Sequence, residues 1–135
     1  MKGVYVLIIN VKKDTLVTVG ALGEISFKRG LYAYVGSAQS NLEQRIKRHL
    51  TKKKPLFWHI DYLLDNNATE ILKVFAKEAD RLEECIIARM LKGEGEAIEG
   101  FGSSDCNCTS HLVRIRDFKL LGNSMFMFYA RDAFH

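Results

Sequence analysis

The stretch LYAYVGSAQSNLEQRIKRHL, residues 31–50, changes character at its middle and decides the fold. Residues 31–35 are β-branched and aromatic strand material that breaks at Gly36. Ser40-Asn41-Leu42-Glu43 then has the Ser-x-x-Glu form of a capping box, with Leu42, Ile46 and Leu50 at helical spacing behind it. A strand running into a helix is therefore expected here. The helix should stop in the run Lys52-Lys53-Lys54 before Pro55, the single proline, whose ring and missing N–H end helices.

Upstream, residues 4–11 read as a strand closed by Lys12-Lys13-Asp14, with a second strand at 15–19 before the Gly20–Gly23 turn. A hairpin between these two is the simplest expectation. Residues 24–27 and 31–35 add two short strands around Lys28-Arg29-Gly30, so the first third reads as an antiparallel meander. Downstream, a second helix is expected over 59–64 and a weakly alternating strand over 70–76. Asp80 with Glu83 opens a third helix ending at Gly93. The stretch 93–105 reads as a long loop, and 113–118 and 125–129 as closing strands. These elements predict one α+β domain over residues 1–135, a small mixed or antiparallel β-sheet with central helices.

At 135 residues, 47% of them hydrophobic, the chain can bury a core without disulfides. The longest apolar run, residues 4–9, is far short of the roughly 20 residues of a membrane span, and the start lacks a signal-peptide layout. A cytoplasmic protein without membrane attachment is expected. A net charge of +4 suits a polyanionic partner without requiring one. Cys85, Cys106 and Cys108 cannot all pair within the chain, and the single residue between the last two disfavours a disulfide there. Lys47, Arg48, Lys52, Lys53 and Lys54 form a basic strip followed by Phe57 and Trp58. Backbone contacts from the cations and base stacking from the aromatics fit nucleic acid, and solvated lysines over core aromatics fit equally well.

Gly3-Val4-Tyr5 and Tyr34-Val35-Gly36 are ordinary strand and turn material taken singly. Their coupling to a capped helix bearing Arg45 and His49, four apart on one face, gives them weight. With these residues the sequence resembles the GIY-YIG endonuclease superfamily. It is most similar to a small stand-alone, mostly archaeal branch, the DUF123 or Uri-like group, through Trp58-His59-Ile60-Asp61-Tyr62-Leu63 and the segment Gly100–Leu112. Valine replaces isoleucine in both tripeptides, which keeps a β-branched strand residue. The tripeptides are further apart than in the superfamily's usual short hairpin, so residues 15–27 are read as an inserted hairpin between the two motif strands.

The resemblance implies a divalent-metal-dependent endonuclease that hydrolyses phosphodiesters, of DNA first and RNA second, in a repair or processing setting. Such hydrolysis needs a positioned water and neutralisation of charge at phosphorus. Arg45 suits the phosphate oxygens. Tyr5 would orient or deprotonate the water, and an ordinary phenol would need nearby positive charge or a relay. His49 is that relay, or the base itself. Tyr34 would position substrate or water. His59, after Trp58 and the basic run, is a candidate for a phosphate or metal-proximal contact. Asp61, about 200° away on a helix, is left to a helix-start hydrogen bond.

For Mg²⁺ or Mn²⁺ the resemblance implies a single helix glutamate. Helical phase against Leu82, Ile86, Ile87 and Met90 favours Glu83, whereas the branch pattern fits Glu84 beside Cys85, and Glu84 is chosen. A structural zinc at Cys106, Cys108 and His111, with or without Cys85, is disfavoured because Cys-x-Cys-x-x-His is no standard finger spacing. A buried thiol or a turn held by Ser103, Ser104 and Asp105 is preferred for that loop, which the resemblance places at the border of the site. The competing function is a non-catalytic nucleic-acid-binding module on the same fold.

Overall fold

A computed structural model describes residues 2–103 and 108–131. In chain order the elements are β1 (Gly3–Val11), β2 (Thr15–Thr18), β3 (Glu24–Phe27), β4 (Gly30–Ala38), α1 (Leu42–Leu50), α2 (His59–Leu64), β5 (Thr69–Lys77), α3 (Leu82–Glu94), β6 (Glu96–Ala97), β7 (Leu112–Ile115) and β8 (Phe126–Ala130). A six-stranded sheet in the order β6-β7-β4-β1-β5-β8 carries the fold, with every pairing antiparallel, and β2 and β3 form a separate two-stranded sheet. The α+β class is as the sequence indicates.

Strand β1 is central and apolar almost throughout because both of its faces are covered. Tyr5, Leu7, Ile9 and Val11 point to one side, where they pack with Leu42 and Ile46 of α1, Ile60 and Leu63 of α2, and Val17 and Phe27 of the small sheet. Val4, Val6 and Ile8 point to the other, against Ile87, Ala88 and Leu91 of α3. Successive side chains of a strand alternate between faces, so a strand buried on both loses its polar alternation.

The expected hairpin between the first two strands does not form. β1 pairs along its whole length with β4, Tyr5 opposite Gly36 and Leu7 opposite Tyr34, while β2 pairs with β3. The first third is therefore no meander. The short, half-exposed β2 could not have covered nine buried residues, whereas β4 is equally long and equally apolar. Residues 15–27 instead make an inserted hairpin that folds over the sheet and seats Val17, Val19 and Phe27 in its core.

Neither predicted capping box forms. Asn41, in the left-handed region at φ 54°, is the residue before α1, and no side chain caps that helix. Asn reaches this conformation more readily than other side chains. At α3, Arg81 precedes the helix without a side-chain cap, and Asp80 turns away to pair with Lys2 at 2.6 Å. α3 also runs past Gly93 to Glu94, since an exposed helical glycine costs only about 1 kcal/mol. The chain breaks at Gly95, where a Cβ would collide with the Arg114 carbonyl. The adjoining stretch, read as loop, contains β6. Among the described residues no helix is long and apolar enough to cross a membrane.

Candidate active site

A cleft of about 710 Å³ opens where the C-terminal half of β4, the start of α1, the start of α2 and the first turn of α3 meet. Tyr5, Tyr34, Arg45, His59 and Glu84 all line it, so residues widely separated in the chain converge on one cavity. The pairing of β1 with β4 sets the two tyrosines. Tyr5 sits opposite Gly36, and a Cβ at Gly36 would collide with the Tyr5 ring. The glycine of the second tripeptide is thus the space that the tyrosine of the first one occupies.

His49 lies behind Tyr5 rather than in the cleft. It is 2% exposed, and its Nε2 is 2.7 Å from the Tyr5 hydroxyl. Burial pushes its pKa down to about 3, with Asp61 opposing and Lys54, Arg48 and Arg45 reinforcing the fall. The imidazole is therefore neutral at physiological pH. Its Nδ1 is buried without a hydrogen-bond partner. An unbonded N–H is rarer in folded proteins than an unbonded acceptor, which favours the tautomer whose Nε2–H donates to Tyr5. In that tautomer the Tyr5 proton is free to point into the cleft.

Burial, together with neighbouring Tyr34, holds the Tyr5 hydroxyl well above its ordinary pKa, with Arg45 partly opposing. Tyr34 is raised as well, by burial and then by Glu84 and Asp61. Both phenols are neutral donors and acceptors. The same burial that fixes them makes either a poor base unaided.

Arg45 and Arg48 follow one another on α1 with both guanidiniums against the Trp58 indole, at 4.7 and 4.5 Å from its centroid. Arg48 forks onto the fully buried Asp61 with N–O distances of 2.9 and 3.0 Å. Asp61 also accepts from the backbone N–H groups of Phe57 and Trp58, which is the helix-start role expected of it. Burial raises its carboxyl, but Arg48 and those N–H groups outweigh it and the pKa lies below the ordinary value. Arg45 donates to the Ser37 carbonyl at 3.2 Å and otherwise faces the cleft.

His59 Nδ1 accepts from the Gly102 N–H at 2.9 Å, so its proton sits on Nε2 when the ring is neutral. Gly102 adopts φ +68°, with a virtual Cβ 3.1 Å from the Tyr34 ring, and only glycine reaches this conformation at no steric cost.

Of the two candidate glutamates, Glu84 lines the cleft, and Glu83 pairs with Lys77 at 3.0 Å. The apolar stripe used to set the helical phase was the wrong one. Leu82, Ile86 and Met90 are exposed, and the buried face of α3 is Ile87, Ala88 and Leu91. Extended back one turn at i−3 and i−4, that face reaches Glu84.

The basic strip divides. Arg48 is occupied by Asp61, Lys52 donates to the carbonyls of Leu64 and Thr69, and Lys54 to those of His49 and Thr51. Lys47 and Lys53 remain exposed. Arg81 at the cleft rim was not anticipated, and as an exposed residue just before α3 it had no periodicity to mark it. Ser104, Asp105 and Cys106 lie outside the described residues. Cys108 and His111 are described, and they come together with Cys85 instead.

The family model for DUF123, a domain of unknown function, matches residues 4–129, from the start of the first tripeptide strand into β8. The chain belongs to the DUF123 family. No curated protein and no solved structure matches it. All the cleft-lining residues of this DUF123 domain named above fall within the matched span.

Proposed function

We propose that this DUF123 protein is a divalent-metal-dependent endonuclease of the GIY-YIG kind, acting on DNA, with repair or processing of structured DNA as its setting. The observation that carries the reading is the convergence of Tyr5, Tyr34, Arg45, His59 and Glu84 on one open cleft, with His49 fixing Tyr5 from behind. Such a set supplies a fork-shaped cation for the phosphate, neutral hydroxyls for a water, a ring N–H donor and one hard oxygen ligand.

The roles follow from the geometry. Arg45, with its indole and carbonyl contacts on the protein side, offers its remaining N–H groups to the non-bridging phosphate oxygens. Tyr5, held by His49, orients the attacking water. Tyr34 packs edge-on against Phe101 and presents its hydroxyl beside it. His59, with Nδ1 engaged by Gly102, directs Nε2–H towards phosphate or the departing oxygen. His49 is a positioning residue, because its burial keeps it from substrate.

Glu84 is the one carboxylate lining the cleft among the described residues. A single carboxylate with waters and substrate phosphate completing the shell is a donor set that fits Mg²⁺ or Mn²⁺. Such an ion, when bound, supplies Lewis-acid neutralisation of charge at phosphorus. Lys47 and Lys53 on the flank, with exposed Phe57, are the surface for the strands leading away from the cut.

The test is incubation of labelled branched, nicked, single-stranded and plain duplex DNA, and matching RNA, with Mg²⁺ or Mn²⁺. Metal-dependent scission that is lost in Glu84→Ala supports the proposal. Tight binding without scission of any substrate under either ion identifies a binding module instead.

A further inference from the structure

The Sγ atoms of Cys85 and Cys108 and a ring nitrogen of His111 lie within 4.8 Å of one another. Local spacing gave no reason to expect this, since Cys85 stands in the first turn of α3 and the other two precede β7. We infer that these three side chains bind a soft-ligand divalent transition ion, Zn²⁺, at a site separate in chemistry from the oxygen ligand Glu84.

The donor set selects the ion. Two thiols and an imidazole suit zinc and exclude magnesium or calcium, which take oxygen. The separations are close to those required. Tetrahedral Zn–S and Zn–N bonds place S and N about 3.6 Å apart and two sulfurs about 3.8 Å apart. Cys85 Sγ and His111 Nε2 are already 3.9 Å apart. With no pair beyond 4.8 Å, closure takes a side-chain adjustment of about 1 Å.

The imidazole is also supported from behind. Its Nε2 faces the thiol, while Nδ1 lies 3.8 Å from Glu84 Oε1, the order in which a carboxylate backs a metal-bound histidine. The His111 backbone is pinned on both sides, its N–H to the Phe101 carbonyl and its carbonyl to the Val35 N–H. Burial lowers its pKa, which keeps the lone pair available. On binding, the two thiols lose their protons to solvent and become thiolates. The bound ion would clamp the segment carrying Cys108 onto α3 beside Glu84, setting that carboxylate through His111.

The inference does not depend on nuclease activity, because metal binding is read without nucleic acid. The full chain, purified without chelator, should carry about one zinc by plasma mass spectrometry. After chelation, Co²⁺ should restore a tetrahedral spectrum with thiolate-to-cobalt charge transfer that Zn²⁺ then displaces. Cys85→Ser, Cys108→Ser and His111→Gln should each weaken Zn²⁺ binding at least 100-fold. Glu84→Gln, one shell out, should weaken it by about 10- to 100-fold. Should a variant misfold, alkylation mapping on the natural chain decides, with Zn²⁺ expected to protect Cys85 and Cys108. An octahedral cobalt spectrum without thiolate bands, no zinc-dependent protection, or a Cys85–Cys108 disulfide in the protein isolated under reducing conditions would each overturn the site.

Discussion

Arg45 and Arg48 stand one turn apart on α1, both against the Trp58 ring, yet they belong to opposite kinds of region. Around Arg48 every charge is answered inside the protein, by Asp61 and by the Pro55 carbonyl. Around Arg45 the only hydrogen bond among the described residues is to the Ser37 carbonyl, and the rest of the guanidinium faces an open cleft. The same side chain serves as a structural clamp in one place and as a ready anion receptor in the other. Exposure alone does not separate them, since both are half-buried. What separates them is whether a carboxylate has already taken the fork.

The largest effect should come from breaking the closed side. Asp61→Ala leaves Arg48 without its buried partner and two backbone N–H groups without an acceptor, and should cost about 3–5 kcal/mol in urea unfolding. The contrast fails if stability barely moves. Arg45→Ala on the open side should instead leave stability within about 1 kcal/mol while slowing cleavage about 10²- to 10³-fold. Comparable loss of stability in both variants would make Arg45 a second clamp.

The glutamates repeat the comparison on α3. Glu84→Ala should abolish metal-dependent cleavage, whereas Glu83→Ala removes only a partly exposed pair with Lys77, worth about 0–1 kcal/mol, and should cleave normally.

Acid should sharpen the account of the buried polar groups. His49 titrates near 6.5 when unfolded and near 3 when folded, so between those values the unfolded chain binds more protons and stability falls as pH falls. Asp61, depressed in the folded state, adds a loss below its ordinary value of 3.8 as pH falls through its folded pKa. In His49→Gln the slope between about pH 6.5 and 4 should flatten while the lower limb remains. An unchanged slope would show that His49 is not the buried neutral group described above. The smallest effects belong to the strip. Lys47→Ala and Lys53→Ala should each weaken DNA binding modestly and reduce its salt dependence by about one unit of slope. The same change at Lys52 or Lys54 should be felt in stability, through their carbonyl contacts.

Much of the fold was legible because its signals are local. Pro55 and the apolar spacing behind it marked α2 to the residue, and the runs at 4–11 and 24–27 fixed their strands. Partnership was not local. β1 has no polar face from which to read a neighbour, so proximity suggested β2 and the true partner lay beyond the inserted hairpin. At the site, the tyrosines, Arg45 and His59 were found by motif and do share the cleft, but His49 proved to stand behind it. On α3 the exposed Leu82, Ile86 and Met90 imitated a core stripe and drew the phase towards Glu83. Cys85 could not be joined to Cys108 and His111 by spacing, because the sheet and not the loop brings them together.

The central claim is that the open side of Trp58 is catalytic. Its most direct test is the single-turnover cleavage rate of one end-labelled branched duplex at saturating protein with Mg²⁺, for the natural chain and Arg45→Ala, alongside equilibrium binding. The account predicts metal-dependent scission by the natural chain and a rate about 10²- to 10³-fold lower in the variant, with binding largely kept. Intact DNA despite full binding by the natural chain, or equal scission by both proteins, would contradict it.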